Sequence, residues 1–255
     1  FARYYAAFCI QSSDVAPVPL REPLTDLHLH ADVPAILVMR LYECFDAHGP
    51  LGEAEFVEAL RLIESYLLRR SVCGLQTRSY WQVFAGLAHT VDRDQPLVAL
   101  KVGLARRRGS YRFPDDREFR EALLELEHYK KRYCFNLLAK LENAGSREKS
   151  DTSMFTVEHV MPQSERLGRE WREMLGPEWR EVQREWLHRL GNLTLTGYNS
   201  KYSDRPFEEK KQIPDGFRDS AVRLNRYIRE QSQWPPKEIE ERGRRLAERA
   251  LEGWG

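Results

Sequence analysis

The sequence predicts a mainly α-helical protein that carries one small β element. Apolar residues in several long, charged segments recur at spacings of three and four, the pattern of a helix with one buried face. Two short runs, around Val157 and Leu193, instead alternate and contain β-branched residues, which favours strands. At 255 residues, with 42% hydrophobic and 31% charged content, the chain is long enough for one large domain or two smaller ones.

The first half is predicted to be helical. Apolar spacing predicts helices over 33–45 and 53–70, a third from about Ser79 to His89, and a fourth over 116–142. The segment Lys101–Ser110 is basic and contains glycines, which is typical of a solvated loop; a phosphate contact is the less favoured alternative.

The polar, glycine- and serine-containing segment 143–153 indicates a domain boundary, so we predict a helical domain at 1–150 and a second domain at 151–255. In the second domain, strands are predicted at 155–161 and 193–196. Between them, 164–187 is expected to form one or two helices, broken at Gly176-Pro177. Two more helices are predicted at about 219–230 and 236–251.

Composition excludes several classes of protein. Lys plus Arg number 40 against 39 Asp plus Glu, so a net charge of +1 gives no bulk attraction to nucleic acid or to a membrane, and phosphate binding would need a local patch. No apolar run is long enough to span a bilayer. Four cysteines without CxxC pairing argue against a zinc ribbon and a disulfide framework, and favour buried thiols in the cytoplasm. The chain starts without Met or a signal peptide and looks like part of a longer protein.

The two predicted strands carry the residues with the clearest chemistry. Glu158 and His159 are adjacent, so their side chains start on opposite faces of a strand and can do different jobs. An imidazole whose pKa lies near neutrality can take a proton from an attacking water, and an Asn amide brought in from the neighbouring strand can accept a hydrogen bond from the other ring nitrogen. A divalent cation on hard oxygen ligands would complete a site for phosphodiester hydrolysis.

These residues resemble the C-terminal HNH (ββα-metal) nuclease domain of GmrSD-like modification-dependent restriction endonucleases, which also occurs in phosphorothioate-sensing Ssp-type defence proteins. The matching motifs are Glu158-His159-x-x-Pro162-Gln163, Leu190-Gly191-Asn192-Leu193-Thr194-Leu195, Asn199 and Pro206-Phe207-x-x-Lys210. Segment 65–74 is similar to the helical region that, in these proteins, follows an N-terminal ParB-like nucleotidase domain. The resemblance implies a mainly α fold with a small ββα-metal element, and a nucleotidase domain absent from this chain.

The resemblance assigns a role to each matching residue. It implies that His159 is the general base, that Asn192 orients it, and that Glu158 and Asn199 hold a divalent metal, Mg²⁺ or Mn²⁺. Three further residues near the motif are candidate phosphate contacts on DNA, with a structural or supporting role as the alternative: His188, Lys201 and Lys210.

Two departures from the family pattern affect these roles. The interval between His159 and Asn192 is longer than in a compact HNH finger, so segment 164–187 is expected to be an insertion between the strands. The third motif position is occupied by Asn199, where the family pattern has His. Asn is a weaker metal ligand than His.

Simpler explanations exist for several features. Gly191-Asn192 could form a turn, and Asn199 could cap a helix. Trp171, Trp179 and Trp186 are more typical of a core than of base stacking. Arginines and glutamates alternate on the last predicted helix, as on a solvated, salt-bridged face.

The function predicted from these residues is a metal-dependent DNA endonuclease or nickase of a bacterial anti-phage restriction system, acting on foreign, modified DNA. The alternative is a DNA-binding or regulatory module whose catalytic geometry has decayed and which contacts the missing nucleotidase domain. A toxin-like nuclease acting on RNA ranks last, because the sequence has no RNA-recognition signature.

Overall fold

The computed structural model describes residues 18–45, 49–78, 80–197 and 202–254. It is mainly helical, as predicted, and its one sheet has two strands within these ranges. Contacts divide the chain into two units, of which the first reaches to Phe119 and includes Trp254, and the second covers Arg120–Gly253. No helix in the described part of the chain is long and apolar enough to cross a membrane.

Up to residue 105, the described residues of the first unit form five α-helices, each of which buries apolar side chains. In chain order they are α1 (Val18–His30), α2 (Ala35–Phe45), α3 (Glu53–Val72), α4 (Tyr80–Thr90) and α5 (Pro96–Ala105). Helix α3 is central and packs against α1, α2 and α5, while α4 packs against α2 and α5. Phe56, Leu60 and Ile63 of α3 are fully buried, which places the core of this unit along that helix.

Helix α5 corrects the prediction of a loop over Lys101–Ser110. The helix begins with Pro96 in its first turn and continues through Ala105, so the first half of the predicted loop is helical. Residues 106–108 are not helical, and Gly109–Tyr111 forms a 3₁₀ turn. Leu97, Leu100 and Leu104 are buried along it at helical spacing. The prediction gave weight to the basic residues that follow and missed this apolar stripe.

The second unit contains the predicted β element. Helix α6 (Asp116–Glu125) crosses the division between the units, and α7 (Cys134–Asn143) leads to β1 (Thr156–His159). After β1 come α8 (Arg169–Leu175), α9 (Trp179–Trp186) and β2 (Leu193–Thr196). The unit ends with α10 (Phe207–Gln212), α11 (Arg226–Glu230) and α12 (Pro236–Trp254), the last of which contributes Trp254 to the first unit.

The two strands are antiparallel, with Glu158 opposite Thr194 and His159 opposite Leu193. Between them lie α8 and α9, separated at Gly176-Pro177 as predicted. Trp171 of α8 is fully buried and its indole N–H donates to the Arg205 carbonyl at 2.8 Å, which supports the core role expected for this tryptophan.

Two helix predictions in the second unit were wrong. The helix predicted over 116–142 is interrupted at 126–133, where the His128 N–H donates to the His188 carbonyl at 2.9 Å. The helix predicted over 219–230 starts only at Arg226, because the backbone N–H groups of Arg223 and Leu224 both donate to the buried Glu142 carboxylate. In both places tertiary hydrogen bonds override helical propensity.

Helix α7 belongs with the second unit, because it contacts β2 and the 3₁₀ turn Arg223–Asn225. By contacts, the division between the two units falls between Phe119 and Arg120. The predicted domain boundary after residue 150 stays a prediction. The three described cysteines are free thiols; Cys44 and Cys134 are buried, as expected, and Cys73 is partly exposed.

His128 is a buried, neutral histidine in the segment that interrupts the predicted helix. Its Nε2–H donates to the Leu123 carbonyl at 3.0 Å, so its Nδ1 accepts from the Tyr133 hydroxyl at 2.8 Å. Burial lowers the pKa of His128 from 6.5 to about 4.

Acidification is expected to destabilise the second unit through His128. Between pH 7.5 and 5 the unfolded chain takes up a proton that the buried imidazole of the folded chain does not, so His128 alone should lower the free energy of unfolding by about 2 kcal/mol. Urea unfolding at pH 7.5, 6.5 and 5 checks this, with His128→Gln as the comparison. The variant should show a shallower dependence on pH, and an unchanged dependence would contradict the assignment of a neutral His128.

Candidate active site

His159 lies at the end of β1 in a cluster of three rings. Its side chain is 3% exposed, and its Nε2 lies 3.1 Å from Nδ1 of His188. Tyr129 packs edge-on to His159, with ring centroids 4.2 Å apart, and stacks on His188 at an interplanar angle of 10°. The geometry thus brings together two predicted residues, His159 and His188, and adds Tyr129.

The sequence carried no signal for Tyr129. The prediction placed it inside a continuous helix over 116–142, whereas it lies in the interruption at 126–133, where the chain crosses to His188. Its hydroxyl also lies 3.5 Å from the side-chain nitrogen of Gln163, in the segment that follows β1.

Burial keeps both histidines neutral near pH 7. It is the largest cause lowering the pKa of His159 to about 3, and the positive charges of His188, when protonated, and Lys210 add to it. The pKa of His188 is also lowered, mainly by burial, although its side chain reaches the surface. In a neutral pair, one imidazole N–H is donated to the unprotonated nitrogen of the other ring.

Asn192 is fully buried and holds the start of β2 against the segment that follows β1. Its side-chain oxygen accepts from the Met161 N–H at 2.8 Å and from the Trp234 indole at 3.0 Å. Its side-chain nitrogen donates to the carbonyls of Met161 and Leu187.

The hydrogen bonds of Asn192 differ from the expected contact with the imidazole. Because two donors already occupy its side-chain oxygen, Asn192 acts on His159 through the backbone. In addition, the Asn192 carbonyl accepts from the Val160 N–H at 3.0 Å, directly after His159. The geometry still positions His159, since the end of β1 cannot move without breaking these bonds.

Glu158 lies on the opposite face of β1, where it meets Lys210 of α10. The Lys210 ammonium lies 2.8 Å from Glu158 Oε1 and also donates to the His159 carbonyl at 2.8 Å. Burial raises the pKa of the Glu158 carboxyl and lowers that of Lys210, while the attraction between the two charges opposes both changes. Lys210 has no exposed surface in this structure. Its contact with DNA stays a prediction, as does the alternative structural role.

Only one of the two proposed metal ligands, Glu158, lies within the described residues. No group of three His, Cys, Asp or Glu side chains that could hold an ion is found among them. Glu158 is a suitable hard ligand, but its Oε1 is already paired with the Lys210 ammonium. Asn199, the other proposed ligand, and Lys201 lie outside the described residues.

The region that contains this site matches a known protein family. The model for the C-terminal domain of GmrSD restriction endonucleases matches residues 113–249, which include Tyr129, Glu158, His159, His188, Asn192 and Lys210. No curated protein matches the chain. The match covers more than half of the sequence, and the chain therefore belongs to the GmrSD restriction endonuclease family, with residues 113–249 forming its C-terminal domain.

Proposed function

We propose that this chain is a DNA endonuclease or nickase of a bacterial anti-phage restriction system, and that His159 is the general base for phosphodiester hydrolysis. The observation that carries the proposal is the hydrogen-bonded His159–His188 pair at the end of β1, inside the region matched to the restriction endonuclease family. A neutral imidazole has a lone pair with which it can accept the proton of an attacking water.

The tautomers of His159 and His188 determine which role each ring has in the proposed reaction. When His159 Nε2–H donates to His188 Nδ1, the lone pair of His159 lies on Nδ1, from which it can take a proton from water. The water oxygen then forms a bond to phosphorus, and the bond to one ester oxygen of the DNA backbone breaks. His188 fixes the tautomer of His159, and Tyr129 fixes the plane of His188 by stacking on it.

The low pKa of His159 makes it a weak base in the unbound chain. An approaching phosphodiester brings a negative charge next to the ring, which favours the protonated imidazole and raises the pKa of His159. Two exposed charges lie near His188, where the Glu127 carboxylate raises its pKa and the Lys130 ammonium lowers it, and Lys130 is the one that can attract the phosphodiester. DNA binding and base strength are therefore coupled in this proposal.

Mg²⁺ or Mn²⁺ held by Glu158 and Asn199 belongs to the proposal as an expectation from the family resemblance. Such an ion would stabilise charge on the scissile phosphate and the departing oxygen. The described residues do not by themselves offer this site, because Glu158 is paired with Lys210. The proposed role of His159 does not depend on which residues hold the ion.

Cleavage of supercoiled plasmid tests the proposed function. The chain is incubated with plasmid in Mg²⁺, in Mn²⁺ or in EDTA, and nicked and linear products are resolved on a gel. We expect product with a metal and none with EDTA. Intact plasmid in both metals, with a chain that circular dichroism shows to be folded, would contradict nuclease activity of this chain on its own.

A second candidate function is a DNA-binding or regulatory module that contacts an N-terminal ParB-like nucleotidase domain. The Glu158–Lys210 pair favours it, because a lysine ammonium on the proposed metal ligand is compatible with a site that has lost its metal. Retarded migration of DNA fragments in a native gel, without cleavage in either metal, would support this candidate.

A further inference from the structure

A basic cleft in the second unit is separate in its residues from the histidine pair. It is lined by the loop Ala144–Glu148 and by three arginines from later in the chain, Arg223, Arg226 and Arg249. With Arg147 from the loop, four arginines line the cleft, against one acidic residue, Glu148. Its volume of about 550 Å³ lies in the range of sites for small ligands.

The walls of the cleft are held by hydrogen bonds to backbone atoms. Arg223 donates from Nη2 to the Glu148 carbonyl at 2.6 Å and from Nη1 to the Ser150 hydroxyl at 3.0 Å. Arg249 donates to the carbonyls of Leu141 and Ala144, at the base of the loop. Hydrogen bonds from Arg223 and Arg249 therefore hold the loop Ala144–Glu148 in place, and the cleft is formed before any ligand binds.

Most of the positive charge in the cleft lacks a carboxylate partner. Arg223 has the buried Glu142 at 3.6 Å. In the part of the chain that the structure describes, Arg147, Arg226 and Arg249 form no ion pair within 4.0 Å. This differs from the rest of α12, where Arg244 pairs with Glu240 and Arg245 with Glu241, as predicted for a salt-bridged face.

Guanidinium groups that share a concave surface repel each other, and an anion between them relieves that repulsion. The fork of N–H donors on arginine matches the oxygens of a phosphate group and can bind two of them at once. Arg147 and Arg226 are exposed, so their donors can reach a ligand, whereas Arg223 and Arg249 use part of theirs to hold the loop.

We propose that this cleft binds a phosphate group, with Arg147 and Arg226 as its direct ligands and Arg223 and Arg249 as its supporting wall. The phosphate belongs either to the backbone of a DNA strand or to a free nucleotide, since both present the same oxygens to the guanidinium groups. The inference does not depend on phosphodiester cleavage by His159.

The test compares two double variants that remove the same total charge. R147Q/R226Q removes the proposed ligands, and R244Q/R245Q removes two arginines that already have partners on α12. Both are titrated in EDTA with a fluorescein-labelled DNA duplex, by anisotropy over a range of salt concentrations, and with ATP and inorganic phosphate, by calorimetry. EDTA prevents cleavage, so the result is independent of nuclease activity.

If the ligand is DNA, R147Q/R226Q should bind the duplex about tenfold more weakly, and the slope of log affinity against log salt should fall by about 1 to 2. R244Q/R245Q should change both values much less. If the ligand is a nucleotide, R147Q/R226Q should lose ATP binding and keep its affinity for the duplex. Equal behaviour of the two double variants toward duplex, ATP and phosphate would overturn the proposal.

Discussion

Replacing His159 with alanine is expected to lower the rate of plasmid nicking by a factor of about 100 to 10,000, which is the usual contribution of a general base. The alanine cannot accept the proton of the attacking water. The measurement is the initial rate of conversion of supercoiled to nicked plasmid in the metal that supports cleavage. Because His159 is packed between Tyr129 and His188, the fold of the variant has to be checked by its urea midpoint.

His188→Ala separates the proposed base from its neighbour. This variant keeps the basic lone pair of His159 and loses only the ring that fixes its tautomer, so we expect a smaller loss of rate, about tenfold, with little change in apparent affinity for DNA. His188→Asn, which restores a hydrogen-bonding group, should recover part of the rate. Nicking by a folded His159→Ala variant at the wild-type rate would remove His159 from the mechanism.

Gly191→Ala is expected to destabilise the second unit by about 3 kcal/mol or more, at or above the upper end of the usual cost of overpacking. Gly191 precedes Asn192 in the 3₁₀ turn before β2 and packs directly on α12. A Cβ atom at this position would lie 1.9 Å from the Ile239 carbonyl oxygen and 2.8 Å from its carbon. Both atoms are helix backbone, so no side-chain rotation can make room. Urea unfolding, followed by tryptophan fluorescence, measures the loss.

The facing glycine provides a matched control. A Cβ on Gly243 of α12 would make only ordinary contacts, the nearest 3.6 Å from the Leu124 side chain. Alanine also favours the helix over glycine by about 1 kcal/mol, so Gly243→Ala should be neutral or slightly stabilising. If both variants were equally stable, the close approach of Gly191 to α12 would be disproved.

The close packing of Gly191 on α12 could not be predicted from the sequence, where Gly191-Asn192 could equally be a turn. The motif identified the position as special, but the physical reason comes from α12, nearly fifty residues away in the chain. Arg242 on the same helix adds to it, since its buried guanidinium donates to the carbonyls of Gly191 and Leu193. Contacts of this range leave no periodicity in a sequence.

The predicted elements were most accurate where periodicity was strong and local. The bounds of α3, β2 and the start of α12 follow the prediction closely, because apolar spacing or alternation continues through each of them. The predicted helix bounds were wrong where a residue distant in the sequence accepts hydrogen bonds from backbone N–H groups, as Glu142 does from Arg223 and Leu224. Charge patterning misled the prediction at Lys101, which lies in a helix.

At the site, the sequence predicted that Glu158 and His159 would face opposite sides of one strand, and their partners agree. Lys210 contacts Glu158 on one face, and the rings of Tyr129 and His188 contact His159 on the other. The sequence could not predict that Lys210 would pair with Glu158, since the two are 52 positions apart. The catalytic and metal-binding roles of these residues stay predictions.

The position of Tyr129 has a practical consequence for dissecting the protein. A truncated fragment that starts at residue 151, after the polar segment, would retain both strands and both histidines but would lose the tyrosine that stacks on His188. It would also lose Glu142, whose carboxylate receives the N–H groups of Arg223 and Leu224. A minimal expression fragment for crystallisation or for activity assays should therefore start no later than Phe113, where the family match begins, so that helix α6 stays whole.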